Sequence, residues 1–341
     1  MVIAFVNTET FPMRLATRLA AALAAFTAAG FAAAQTKLDV SMPWGPTEFH
    51  TVNAQNFAKR VAEVTNGRIT MTVHAGGSLG IKANETVRAI EDGTVAMAEF
   101  AGFQNVGDVP LLGIESLPFL VDNYEQLRTM HGFVRPQWVA ELAKRGNKVL
   151  YVVPWPSQNF FLKKQARGID DLKGVRMRTY DRVTAEMVTK LGMVPQQMNN
   201  PDIVPALASG RLDAVMTSGT TAVSQKYWEF LKHTYTTNHL WASNLMVIGT
   251  RTWDKIQPAD RAAIEKLAAE MEPEFWKVSM AEHTTRMKQL TDNGMTVEAP
   301  PAQMVERMRT VTRPMWDDFG KRNGAEAAKV LDAYLGATGR K

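Results

Sequence analysis

Residues 169–219 constrain the fold of this chain more than any other stretch. Ile169-Asp170-Asp171-Leu172-Lys173-Gly174 reads as a turn, and Val175 to Thr179 as a strand carrying Arg178 near its end. A helical stretch follows. Ala206-Leu207-Ala208-Ser209-Gly210 then reads as a helix with a glycine stop, leading to a short apolar strand before the small polar residues Thr217-Ser218-Gly219. A crossover of this length between two strands implies a parallel βαβ unit. Ligands of open α/β sheets gather beyond the carboxyl ends of such strands, where Arg178 and Thr217 fall. The planar fork of an arginine matches a carboxylate through two parallel hydrogen bonds. Arg178 therefore reads as an anion-binding residue, the alternative being a surface arginine paired with Asp181 or Glu186.

Strands and helices alternate through the rest of the chain. Strands are predicted at Lys37–Met42, Ile69–His74, Val95–Phe100 and Lys148–Val153, and helices at about 48–65, 81–92 and 123–145. Thr47 is the expected cap of the first helix. Beyond Pro258 the pattern turns helical, with Pro300-Pro301 between two long helices. The class is α/β. Pro154 to Gln158 and the region near Ser243 read as crossings between two lobes, the first spanning 35–155 and the second starting at 156.

Arg14 and Arg18 precede the apolar run Leu19–Phe26, and Ala32-Ala33-Ala34 supplies small residues before Gln35. That is the pattern of an export signal cleaved after residue 34, whether translation starts at Met1 or Met13. No later segment is apolar enough to span a membrane, so the mature protein is expected to be soluble and exported. The chain has no cysteine, which removes disulfides, thiol nucleophiles and cysteine metal sites together. The formal charge of +5 falls to about +4 without residues 1–34. The cations are interspersed with Asp and Glu, which suits an anionic small molecule better than nucleic acid.

Several segments, in order, carry a resemblance. Thr65-Asn66-Gly67-Arg68-Ile69, Gly76-Gly77-Ser78-Leu79-Gly80, Glu91-Asp92-Gly93-Thr94-Val95 and Ser116-Leu117-Pro118-Phe119-Leu120 precede the Leu172-Lys173-Gly174 turn and the Gly210-Arg211-Leu212-Asp213 segment. Together, from about Leu38 to Val297, they resemble the substrate-binding proteins of TRAP transporters, periplasmic receptors of the DctP type. The resemblance implies a two-lobed periplasmic-binding-protein-like fold with hinge crossings and long C-terminal helices. It implies a first lobe of 35–155 plus about 244–283, and a second of 156–243 plus about 284–341 with the bracing helices. It also implies no cofactor, no catalysis, and large and small membrane permease subunits as partners.

Within that family Arg178 matches the principal carboxylate ligand. The place of a frequent second arginine falls on Gln158, which adds hydrogen bonds but no charge. Thr217 stands where many relatives have asparagine, and Asn200 in a loop where relatives often place an aromatic ring. Trp44, Phe100, Phe103, Trp155 and Trp241 sit at strand ends or in turns, where a cleft would lie. Trp44, Phe100 and Trp241 are taken as substrate-binding candidates, Trp44 foremost, although large aromatics also pack lobe interfaces. One arginine and an aromatic cleft favour a monocarboxylate or 2-oxo acid, possibly aromatic, over a C4-dicarboxylate. A reading from another class is a secreted serine hydrolase. Gly76-Gly77-Ser78-Leu79-Gly80 satisfies G-x-S-x-G, with Asp213 and His239 or His283 downstream. The six histidines show no zinc-binding spacing, so no metal site is expected.

Overall fold

The structure is a computed structural model, and it describes residues 35–340 together with Met1, Val2 and Ala4. Apart from those three residues, the expected export signal lies outside the described residues. In chain order the strands are β1 (Thr36–Ser41), β2 (Ile69–His74), β3 (Met97–Ala101), β4 (Asn147–Pro154), β5 (Asn159–Leu162), β6 (Arg176–Thr179), β7 (Val194–Gln197), β8 (Ala214–Thr217), β9 (His233–Tyr235), β10 (Ser243–Gly249) and β11 (Thr296–Glu298). The helices are α1 (Phe49–Val64), α2 (Thr86–Glu91), α3 (Tyr124–Lys144), α4 (Arg182–Lys190), α5 (Ile203–Ala208), α6 (Gly219–Ser224), α7 (Thr250–Trp253), α8 (Pro258–Asp292), α9 (Ala302–Thr312), α10 (Pro314–Asn323) and α11 (Ala325–Thr338).

Two sheets form two lobes. The first has the order β2-β1-β3-β10-β4, with β1 parallel to β2 and β3, and β10 antiparallel to both of its neighbours. Strands β3 and β10 are buried on both faces because both faces of the sheet are covered there. On β10, Leu245 and Val247 face one core while Met246 and Ile248 face the other, following the two-residue period of a strand. The second sheet has the order β11-β9-β5-β8-β6-β7. The parallel unit anticipated from residues 169–219 is there, with Met177 opposite Ala214 and Arg178 opposite Val215.

The two sheets are joined by neighbouring crossings. Trp155 N–H donates to the carbonyl of Ala242 at 2.8 Å, and Gln158 N–H to that of Leu240 at 3.0 Å. The β4–β5 and β9–β10 connections thus run side by side. Helix α8 reaches both lobes: Phe275 packs beneath the first sheet and Leu290 beneath the second.

Several elements depart from expectation. β7 lies at a sheet edge and holds Pro195, a position where proline costs no ladder bond. Its Val-Pro-Gln-Gln sequence has no alternation to betray it. The three-residue edge strand β11 stands between two helices, where a proline break was expected. The helix expected over 81–92 is shorter, a 3₁₀ turn at Ala83–Glu85 followed by α2. Glu48, not Thr47, occupies the cap position of α1 and makes no cap bond, because its carboxyl takes a hydrogen bond from Ser224 instead, at 2.5 Å. In the last helices Trp316, Phe319, Val330, Leu331 and Tyr334 pack into the core of the first lobe; the expectation grouped residues 284–341 as second lobe and bracing helices. Their apolar faces fit the groove beside α3, and the Trp316 indole N–H donates to the carbonyl of Pro118 at 2.9 Å. Among the described residues no helix is long and apolar enough to cross a membrane.

Candidate functional site

A cavity of about 40 Å³ lies between the lobes, where the two crossings meet the carboxyl ends of β6 and β8. Five of the seven substrate-binding candidates line it, Arg178, Gln158, Thr217, Trp44 and Asn200, together with the cleft aromatics Phe103 and Trp155.

Arg178 is 6% exposed. Its Nε donates to the carbonyl of Met198 at 3.2 Å and its Nη1 to that of Met216 at 3.3 Å. The guanidinium carries five N–H groups, so these two bonds fix its plane and leave Nη2 free. The contrast with Arg176, two residues earlier on β6, is informative. Arg176 is paired with Asp213, Nε to Oδ2 at 2.7 Å, whereas Arg178 has no carboxylate partner among the described residues. The anticipated alternative partner Asp181 is spent on capping α4, its Oδ1 accepting from the Thr184 N–H at 2.7 Å. Burial pushes the Arg178 guanidinium below its usual pKa, with nearby Tyr227, Tyr180 and Asp181 acting the other way. An arginine stays charged despite such a shift. The site therefore holds a buried cation that no carboxylate contacts among the described residues.

The neutral residues surround it. Gln158 turns its amide Nε2 onto the Pro156 carbonyl at 3.0 Å. Thr217 ends β8, where it pairs with Asn159 of β5. Asn200 opens a 3₁₀ turn, its carbonyl accepting from Gln225 Nε2 at 3.3 Å. The other wall is aromatic. Trp44 and Trp155 meet edge to face, with ring centroids 4.9 Å apart. Trp155 Nε1 donates to Asn244 Oδ1 at 2.7 Å, and Asn244 Nδ2 to Glu99 Oε1 at 2.9 Å. Tyr151 donates to the other oxygen of Glu99, also at 2.9 Å. This buried chain holds the Trp155 ring in place from below.

The glycine loop acts on Trp44. Gly76 N–H donates to the Trp44 carbonyl at 2.7 Å and Gly77 N–H to that of Met42 at 2.9 Å. Both glycines have φ near +70°, a left-handed conformation that side chains disfavour. Ser78 lies exposed on this loop, and no helix follows it directly. His239 is fully buried and Asp213 is bound to Arg176, so the loop does not present a nucleophile to the base and acid considered for it. His283 makes no hydrogen bond to Ser78 either, and its Nδ1 is buried without a partner.

Phe100 and Trp241 do not line the cavity, a correction to the sequence-based expectation. Phe100 is on the face of β3 that packs into the first-lobe core, and Trp241 is anchored there by its indole bond to the Val121 carbonyl at 2.9 Å. Strand-end position alone did not reveal which face each ring takes. Conversely, Gln104, Tyr180, Ser218 and Thr221 line the cavity and were not anticipated. Tyr180 follows β6 directly, so the rule that selected Arg178 covers it as well. Gln104 sits in a 3₁₀ turn after β3, and nothing in its local sequence marks it. Among the described residues no group of three or more His, Asp or Glu is placed to hold a metal ion.

The chain is similar to known proteins in both sequence and fold. Residues 40–323 match the family model described as bacterial extracellular solute-binding protein, family 7. The C4-dicarboxylate-binding periplasmic protein DctP of Rhodobacter capsulatus is 26% identical over 290 residues, covering 82% of this chain and 85% of that protein. An extracytoplasmic solute receptor of Bordetella pertussis that binds pyroglutamic acid superposes with a TM-score of 0.85 at 28% identity, covering 88% of this chain and 99% of that one. A TRAP solute-binding protein from an unidentified marine microbe, specific for pyroglutamate, gives 0.83 at 31% identity with the same coverage.

Proposed function

The chain belongs to family 7 of the bacterial extracellular solute-binding proteins, and from that premise we propose that it is the periplasmic receptor of a TRAP-type transporter for an organic monocarboxylate. The carrying observation is Arg178, a buried cation with no carboxylate partner among the described residues, in a cavity whose other lining side chains are uncharged. Burying an unpaired charge is costly, and a ligand carboxylate offsets that cost. One cation calls for one carboxylate, with Gln158 and Thr217 adding neutral hydrogen bonds. Gln158 in place of a second cation argues against the C4-dicarboxylates bound by the Rhodobacter relative. A 2-oxo acid remains within the class.

Lobe boundaries follow the crossings. The lobe built on the first sheet takes residues 35–155 and about 244–283, and the second takes 156–243 and 284–312. Hinge motion at Trp155–Gln158 and Leu240–Ala242 would close the lobes around the ligand. The closed form would then be handed to the large and small membrane subunits of the permease, after export by a signal cleaved before Gln35.

Thermal unfolding of the ligand-stripped chain from Gln35 onward tests this, against monocarboxylates, 2-oxo acids, dicarboxylates and amino acids. A ligand at about 100 times its Kd adds roughly 2.7 kcal/mol, a readily measured shift. Shifts by monocarboxylates that vanish in Arg178→Ala are the expected result. A shift confined to dicarboxylates, or one that survives Arg178→Ala, would overturn the assignment.

A further inference from the structure

Three polar atoms on side chains that line the cavity are buried without a hydrogen-bond partner: Trp44 Nε1, Tyr180 Oη and Gln104 Oε1. Some of the other polar groups of the lining are engaged within the protein. Trp155 Nε1 is held by Asn244, Gln158 Nε2 by the Pro156 carbonyl, and Ser218 Oγ accepts from the Thr221 N–H at 3.4 Å. An indole N–H can only donate. Burial pushes the Tyr180 phenol well above its usual pKa, so it keeps its proton and can donate too. The unmet demand of these three buried atoms is two donors and one acceptor.

Buried polar groups in native proteins are almost always satisfied, and the exceptions call for an explanation. Here the three orphans belong to side chains that line one cavity, where a single ligand can satisfy them. They come from three places: the turn after β1, the 3₁₀ turn after β3, and the end of β6. The ligand must therefore present acceptor and donor on separate atoms, which a lone hydroxyl does not. The group must also be neutral, since an ammonium would share the cavity with unpaired Arg178. It is best planar, because Trp44 and Trp155 wall one side and the Phe103 and Tyr180 rings, with centroids 4.3 Å apart, bridge the lobes on another. A secondary amide meets all of these conditions.

We infer that the ligand is a carboxylic acid whose other end is a neutral secondary amide, a lactam or an N-acyl amino acid. Trp44 and Tyr180 donate to its carbonyl end and Gln104 accepts from its N–H. This rests on the monocarboxylate reading of the same cavity. Titration calorimetry on the ligand-stripped protein distinguishes the two. The probes are L-pyroglutamate and N-acetylglycine, against cyclopentanecarboxylate (no polar second end), L-lactate (a hydroxyl) and L-proline (an ammonium). An amide acid is expected to bind about a hundredfold or more tighter than cyclopentanecarboxylate, since a site built to hydrogen-bond a group rejects the analogue lacking it. Tyr180→Phe should cost the amide acid about tenfold and leave cyclopentanecarboxylate unchanged. Trp44→Phe should do the same, and Tyr180→Phe alone decides if that variant misfolds. Equal binding of cyclopentanecarboxylate, tighter binding of L-lactate or L-proline, or an equal loss for both ligands in Tyr180→Phe overturns the amide inference. Arg178-dependent binding would then still uphold the receptor. No carboxylate binding at all would overturn both.

Discussion

The two walls of the cleft are built by different means. On the second lobe the backbone places the polar groups: carbonyls of Met198 and Met216 fix Arg178, and Thr217 sits at the end of a parallel strand. On the first lobe side chains place the rings. Trp155 hangs from Asn244, which hangs from Glu99, across 89 and 145 residues of sequence respectively. Charge on one side is thus a property of topology, and shape on the other a property of a buried network. Substitutions should separate them: one wall loses ligand without losing stability, while the other loses both.

The largest effect is expected at Arg178. Arg178→Gln keeps donors but removes the charge, so the bound carboxylate loses a buried partner worth about 3–5 kcal/mol. Affinity should fall by a hundredfold or more in calorimetry, while the ligand-free protein unfolds no lower than wild type. A lowered ligand-free Tm would mean that the guanidinium also braces the lobe, and would erase the contrast.

Next is the contact between the walls. Glu48, from the first lobe, is 3% exposed and accepts from Ser224 of the second, while its Oε2 has no partner. Burial raises its pKa from 4.5 to about 7; Ser224 and Arg286 lower it, and Glu282 raises it. A carboxyl raised in this way favours the folded, closed form fully below pH 4.5, and that contribution is lost as pH rises through 7. The full shift corresponds to at most about 3 kcal/mol. The Tm of wild type should therefore fall between pH 5 and 8 relative to Glu48→Gln, which cannot ionise. Parallel pH profiles for the two proteins would rule out a titrating Glu48 at the lobe contact.

What could be read in advance follows the same division. Arg178, Thr217 and the parallel pairing of β6 with β8 were legible, because a strand of known direction fixes where its last side chains lie. Trp44 was legible because it directly follows β1. Phe100 and Trp241 were misplaced since a ring at a strand end can turn to either face, and burial on the far face decided it. Tyr180 was missed by extending the rule no further than the strand itself. The Glu99–Asn244–Trp155 chain was illegible for a deeper reason: its members come from β3, β10 and the end of β4, distant in sequence and neighbours only once the first sheet is assembled. The strand at Val194–Gln197 lacked any periodic signal, since an edge position imposes little on its sequence.

The network itself can be cut at Asn244. Asn244→Leu leaves the Trp155 indole N–H without its acceptor and Glu99 without one donor, each loss costing about 1–3 kcal/mol when buried. A chain of this size loses roughly 2–4 °C of Tm per kcal/mol at most. The ligand-free protein should thus melt several degrees lower, and the loosened ring should weaken binding by about tenfold. Unchanged Tm with weakened binding would make the first wall resemble the second, and the distinction would fail.

The smallest effect is expected from the neutral part of the second wall. Thr217→Val removes a hydroxyl while keeping the β-branched shape that β8 accommodates, so stability should hold. A neutral hydrogen bond contributes about 0.5–1.5 kcal/mol, which is a two- to tenfold loss of affinity. That is well short of Arg178→Gln, because charge-assisted bonds are stronger and because a lost counter-ion leaves a buried cation uncompensated. The ordering matters more than either value. If Thr217→Val matched Arg178→Gln in calorimetry, the hydroxyl would be holding the guanidinium in place rather than merely adding a bond. Recording the Arg178→Gln, Thr217→Val double variant settles which: independent roles give additive losses, whereas a shared one gives no further loss beyond the first.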